Sequence, residues 1–213
     1  MADYIIDGTL LTAIADAIRE KIESTEPITP EDMAEKVKTC FERGYVEGQE
    51  ERDAEILSIL SKTTETYTNE KITVLGSYIF SDNPKLQTAT FPAVETVKDY
   101  AFQSCTVLHT LNLPNVKTIG TRVFVNTNSL WRLDLPVCTS LGNYCFHGGA
   151  KIDTLILRSE TVCKAGTDIF GTGPIANKTG YIYVPDNLVE QYKIADGWLA
   201  YADQIKPISE LEG

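Results

Sequence analysis

The chain has 213 residues, 43% of them hydrophobic, enough for a buried core in one or two domains. Its formal charge of −11 is concentrated in residues 1–70, where 17 acidic side chains face 7 basic ones, a difference of −10, while the remainder holds 13 against 12. A phosphate backbone repels such a segment, which argues against direct nucleic-acid binding. No apolar run reaches the length of a membrane span, and the opening MADYIIDG lacks the basic-then-apolar layout that would direct a chain to secretion.

Residues 9–23 read as an amphipathic helix: Leu10 or Leu11, Ile14, Ile18 and Ile22 form one stripe, Asp16, Arg19, Glu20 and Glu23 lie elsewhere, and Thr9 is placed to cap it. Thr29-Pro30-Glu31-Asp32 then combines a capping residue, a proline at the first helical position and acids in the first turn, which marks a second helix start. Met33, Val37, Cys40 and Phe41 supply its apolar stripe, so 1–43 is expected to form a helical hairpin module. Residues 44–70 are polar from Glu47 to Glu55 and then apolar at Ile56, Leu57, Ile59 and Leu60, as a helical connector would be if its last turns covered the open end of a core. Self-association through the N-terminal helices is the rival reading, against which Gly44, Gly48 and the polar middle spoil a sustained heptad. The acidic residues Glu47, Glu50 and Glu51 read either as a solvated helical face or as contacts for a basic groove on another protein.

From Ile72 to Ser159 the chain repeats every 22 residues. Phe80, Phe102, Phe124 and Phe146 form one column; Leu86, Leu108, Leu130 and Ile152 a second; Phe91, Leu113, Leu135 and Leu157 a third. Leu75, Val97, Ile119 and Leu141 make a fourth, and Ala89, Leu111, Leu133 and Leu155 a fifth. Pro92, Pro114 and Pro136 follow the third column, with Arg158 in the last copy. The alternation in Leu108-His-Thr-Leu111-Asn-Leu113 is that of a half-buried strand, which the proline ends because it has no amide hydrogen for a ladder. A period of this length with the pattern L-x-x-L-x-L is the mark of leucine-rich repeats, whose units bury their apolar faces against one another.

The expected fold class is therefore α+β: a short leucine-rich-repeat solenoid over 71–185, about five repeats, with a single-layer parallel sheet and irregular or helical returns, preceded by the helical module. The fifth repeat is irregular, its phenylalanine arriving at Phe170, two residues late, with a loop at 171–180 before the strand from Tyr181. That loop misses a phosphate-binding G-x-x-x-x-G-K-[ST] because Asn177 precedes Lys178 and a strand follows. Leu188, Tyr192, Trp198, Leu199 and Ile205 are assigned to a C-terminal helical cap over 186–213.

Of five cysteines, Cys138 falls in the column of Val94 and Val116, Cys145 in that of Ala101 and Val123, and Cys163 in that of Leu141, core places for small apolar groups. With His109 and His147 the only histidines and no C-x-x-C pair, neither a metal site nor a disulfide framework is expected. No nucleophile with a base and no carboxylate pair in phase emerges, so no catalytic residue and no cofactor is assigned.

Strand alternation turns Thr88, Thr110, Arg132 and Thr154 outward, with Thr90, Asn112, Asp134 and Ile156 beside them and His109 and Trp131 at the head of the face. Plain solvated sheet is one reading of it. As a contact surface it is the best in the chain, since Trp and Arg dominate interface energetics.

The segments TVKDYAFQSCTVLHTLNLPNV and TIGTRVFVNTNSLWRLDLPVC resemble the BspA-type leucine-rich repeats of bacterial surface proteins and phage tail-associated proteins, and the run from Tyr181 to Ile208 resembles the way such arrays end. The fragment IDGTLLTAIADAIREKIESTEPITPEDMAEKV is similar to a small helical module at the front of phage structural proteins. These resemblances imply a binding scaffold without catalytic motif, and a virion or host-cytoplasm setting. Three readings stay open: a tail-associated, receptor-binding component; a soluble inhibitor that covers a host defence protein with its acidic arm; and a bacterial surface adhesin. The partner in each is a protein: a host receptor, a virion component or a host target.

Overall fold

The computed structural model describes residues 62–148 and 150–212. The helical module at 1–43, the connector up to residue 61 and the acidic contacts Glu47, Glu50 and Glu51 lie outside the described residues. Among the described residues twelve short strands follow one another, two to a coil as far as β10: β1 (Thr66–Thr68) and β2 (Val74–Leu75), β3 (Thr88–Thr90) and β4 (Thr96–Val97), β5 (Thr110–Asn112) and β6 (Thr118–Ile119), β7 (Arg132–Leu135) and β8 (Ser140–Leu141), β9 (Thr154–Leu157) and β10 (Lys164–Ala165), then β11 (Tyr181–Val184) and β12 (Ile205–Pro207), which pair with each other.

All recorded pairings are parallel, and the register repeats the sequence period: Thr66 opposes Thr88, which opposes Thr110, and Arg132 opposes Thr154. The odd-numbered strands, joined at the C-terminal end by β12, build one wall, as the ladders β1-β3-β5 and β7-β9-β11-β12; no ladder pairing joins β5 to β7. The even-numbered strands from β2 to β10 build an opposite wall, β2-β4-β6-β8-β10, without interruption. The expectation of a single-layer sheet with irregular or helical returns is thus corrected. The fourth apolar column, Leu75 to Leu141, lies in a second ladder of two-residue strands, too short for alternation to register in the sequence.

The core fills the space between the walls. All five apolar columns are buried, and the phenylalanines stack ring upon ring at 5.4, 5.9 and 5.2 Å from Phe80 through Phe146, with Phe170 a further 5.5 Å on. Tyr67 tilts against Phe80 at one end, and Tyr201 meets Phe170 edge-on at the other. Burying one such ring contributes about 1.5–3 kcal/mol and each stacked neighbour about 0.5–1.5 more. The backbone turns each ring inward through a left-handed residue two positions earlier: Tyr78, Tyr100, Arg122 and Tyr144 stand at φ between +54° and +62°. A non-glycine residue there costs roughly 1 kcal/mol or more. The turn lets each phenylalanine donate its N–H to the next coil, as Phe80 does to the Ala101 carbonyl at 2.9 Å and Phe124 to that of Cys145 at 2.9 Å. At Gly142 the coils approach so closely that a Cβ would run into the Gly120 backbone.

Two further corrections concern the C-terminal end. The register sets Ala165 opposite Leu141, so the two extra residues of the fifth repeat lie between Leu157 and Lys164, and Cys163 is not the member of that column. Cys163 instead ties down the cap: its N–H donates to the Tyr192 hydroxyl at 2.9 Å, and its carbonyl accepts from Trp198 Nε1 at 2.6 Å. The stretch 186–213 holds α1 (Val189–Ile194), α2 (Ser209–Glu212) and two 3-10 turns, Asp186–Leu188 and Leu199–Gln204, but also β12, which extends the strand wall. Ile205 is a buried member of that strand, and Leu199 is 67% exposed instead of capping the core.

Candidate recognition surface

The strand wall carries two different skins. On β1, β3 and β5 the outward residues are Thr66, Thr68, Thr88, Thr90, Thr110 and Asn112. Their ladder holds the hydroxyls in rows about 4.8 Å apart, and His109 Nδ1 lies 3.0 Å from Thr110 Oγ1. The outward residues of these three strands include no Asp, Glu, Lys, Arg, Phe, Tyr or Trp.

Beyond the interruption the composition changes. Trp131 is 54% exposed just ahead of β7, and the exposed Arg132 beside it has no hydrogen-bond or ion-pair partner among the described residues. Asp134 accepts from Arg158 Nε at 3.1 and 3.2 Å, a pair about one-third exposed on both sides. Thr154 donates to Asp153 at 2.7 Å. On β11, Tyr181 and Tyr183 sit 6.3 Å apart, and the Lys206 ammonium of β12 lies 6.0 Å over the Tyr181 ring while reaching Glu210 at 3.4 Å.

One sequence-assigned position is corrected. Ile156 stands in the outward column opposite Asp134 and Tyr183 but is fully buried, and it does not join the core cluster. Its neighbours on the outer face include larger side chains than the threonines of the first half, so it offers nothing to a partner. Thr88, Thr90, His109, Thr110, Asn112, Trp131, Arg132, Asp134 and Thr154 all retain at least partial exposure. Arg158, Tyr181, Tyr183 and Lys206 were missed. Arg158 was signalled by its intrusion into the proline column, and the tyrosines by their alternation in the strand after the loop.

A third exposed column runs along the left-handed turns: Tyr78 stacks on Tyr100 at 4.7 Å, and the Arg122 guanidinium lies 5.2 Å over Tyr144. Tyr78 and Tyr100 are one 22-residue period apart and Tyr144 two periods further on, with Arg122 between them.

The four described cysteines are buried. Burial pushes the Cys105 thiol up to about 12, against a smaller opposing effect of a backbone hydrogen bond at Asn83, and its Sγ donates to the Phe80 carbonyl at 3.0 Å. Burial likewise raises Cys145, while Cys163 is raised first by its hydrogen bond with Cys138 and then by burial. Thiols so protonated are poor nucleophiles. Among the described residues no group of three His, Cys, Asp or Glu could hold a metal ion, and no helix is long and apolar enough to cross a membrane.

The model of the BspA type leucine rich repeat region matches residues 58–188 in six copies. The chain belongs to the BspA-type leucine-rich repeat family. As a leucine-rich repeat array of this family it is a protein-interaction scaffold. Among solved structures, the leucine-rich repeat protein of T. pallidum (TpLRR) is similar at 18% identity with a TM-score of 0.55, covering 70% of each chain. The pneumococcal vaccine antigen PcpA is similar at 17% identity with a TM-score of 0.41, covering 68% of this chain and 40% of its own. The first likeness is one of fold. No curated protein matches the sequence.

Proposed function

We propose that this BspA-type array is a phage tail-associated, receptor-binding component that recognises a protein partner with the C-terminal half of its strand wall. The observation that carries the recognition surface is Trp131, more than half exposed, beside Arg132, which has no partner among the described residues, on a hydrogen-bonded ladder. Tryptophan and arginine are the side chains most often responsible for interface energy, and a rigid ladder loses little entropy in presenting them. The phage setting rests on the resemblance of the N-terminal fragment to virion modules. It does not follow from the strand wall.

The rival reading, a soluble inhibitor acting through Glu47, Glu50 and Glu51, is favoured by the charge of −10 over residues 1–70. A capture experiment with the full chain separates the two. On our reading Trp131→Ala and Arg132→Glu lose the partner that the parent chain retains, charge reversal at the three glutamates leaves capture intact, and antibodies find the chain in purified particles. Capture that survives both strand-wall substitutions and fails on charge reversal transfers the function to the acidic arm.

A further inference from the structure

Two of the buried cysteines meet at the C-terminal end of the array. Cys138 precedes β8 and Cys163 precedes β10, strands that pair with Ser140 opposite Lys164. The Lys164 N–H donates to the Thr139 carbonyl at 2.9 Å, so the ladder begins where the two cysteines stand, on neighbouring coils and one residue out of step. Their thiols are held in matching ways. Cys138 Sγ donates to the Ser140 carbonyl at 3.5 Å and Cys163 Sγ to the Lys164 carbonyl at 3.7 Å, and those two residues face each other across the ladder. The two thiols also hydrogen-bond one another. Neighbouring parallel strands run about 4.8 Å apart, inside the Cα separation of about 4.4–6.8 Å that a disulfide spans.

Packing explains only one of the pair. Cys138 stands in the column of Val94 and Val116, where any small apolar group suffices. The register carries Cys163 to the level of Thr139 and Lys117, which are exposed in their own coils, so nothing in the repeat asks for a cysteine there. Cys163 is nevertheless fully buried, and its backbone fastens the cap through Tyr192 and Trp198. A covalent bond to its sulfur would therefore join the β8 coil, the β10 coil and the cap. The hydrogen bond from Cys163 holds the Cys138 thiol below its ordinary value against the opposing effect of burial, while the same bond and burial raise Cys163. A thiolate that accepts from its partner thiol is the arrangement from which a disulfide forms. Cys145, the third thiol in the neighbourhood, is raised chiefly by burial and stays protonated.

We propose that Cys138 and Cys163 are a redox modification site, closing to a reversible disulfide that bolts the C-terminal cap to the array. With hydrogen peroxide as the oxidant, the Cys138 thiolate attacks one peroxide oxygen, the O–O bond breaks, hydroxide leaves, and Cys138 becomes a sulfenic acid. The Cys163 sulfur then attacks the Cys138 sulfur, the S–O bond breaks, and the oxygen leaves as water with the Cys163 proton. The hydroxide takes up the proton that Cys138 released. The two thiols lose two electrons between them, and one peroxide is reduced to two waters. The bond closes a loop that contains β8, Phe146 and β9, which restricts the unfolded chain.

The test uses the full chain carrying Cys40→Ser, which leaves the four described cysteines, and titrates free thiols in denaturant before and after peroxide treatment of the folded protein. The expected titre falls from four to two, and a non-reducing tryptic map joins residues 133–151 to residues 159–164. The melting temperature rises by about 5 °C or more and returns to its starting value in dithiothreitol. Cys138→Val, which restores the residue type of its column, and Cys163→Ala both lose the cross-link and the rise, whereas Cys145→Ala keeps them. The proposal is overturned if four thiols survive, if the lost thiols end as unlinked sulfinic acids, if the link persists in Cys138→Val, or if the oxidised chain melts no higher than the reduced one. Trp131 and Arg132 belong to the opposite wall, so none of these outcomes bears on the strand-wall reading.

Discussion

The two halves of the strand wall rest on one core and differ only in what they show. Behind β1, β3 and β5, as behind β7, β9 and β11, lie the same buried columns and the same stacked phenylalanines. In front, the first half is threonine and asparagine, and the second is Trp131, Arg132, the Asp134–Arg158 pair, two tyrosines and Lys206. The difference teaches that the coil constrains inward positions, where every residue must match its neighbours one coil away, and leaves outward ones to the partner. The ladder breaks where the skin changes, between β5 and β7, although β6 and β8 remain paired behind it.

The comparison breaks most violently if the shared core fails. Phe124→Ala, in the middle of the ring stack, is expected to destabilise the chain by about 3–5 kcal/mol, read by chemical denaturation, and to release both halves together. Gly142→Val tests the second ladder: its side chain has no room against Gly120, and a loss of about 1–3 kcal/mol or more is expected from the same measurement. Trp131→Ala divides the halves. It should leave stability within about 0.5 kcal/mol while weakening partner binding by about 2 kcal/mol, whereas Thr88→Ala with Thr110→Ala should change neither. Arg158→Ala removes a partly exposed ion pair and should cost no more than about 1 kcal/mol, less at high salt.

The smallest effect at neutral pH is that of Cys105. Its thiol is raised in the folded chain, so the neutral form is the one the fold favours and its contribution is fully present below the unfolded value of 9.0. Above that value the unfolded chain releases the proton first, so stability falls as pH climbs from 9.0 toward about 12. Denaturation midpoints of the parent and Cys105→Ala should therefore converge over that range. A constant difference contradicts the assignment.

What the sequence made legible is the part governed by repetition. The phenylalanine, leucine and alanine columns recur at a fixed interval because each is buried against its own copies, and the strand wall followed from alternation. The second ladder was invisible because two residues cannot display a period. β12 was hidden because Ile205-Lys206-Pro207 sits between helical turns and enters the sheet only through pairing with β11. Cys163 was misplaced because the extra residues fall before it, a choice that chain spacing leaves open and register decides. Ile156 was read as accessible because alternation gives direction and says nothing of what neighbouring side chains cover. The skin of the second half was legible only in part, since Arg158 and Lys206 come to it from positions outside the repeat pattern.

The most direct measurement is hydrogen-exchange footprinting of the full chain, free and bound to the partner it captures. Protection should concentrate on Arg132–Leu135, Thr154–Leu157 and Tyr181–Val184, with the amides of Thr88–Thr90 and Thr110–Asn112 exchanging as they do in the free chain. Protection centred on the threonine half, or on the wall built by the even-numbered strands, would contradict the account.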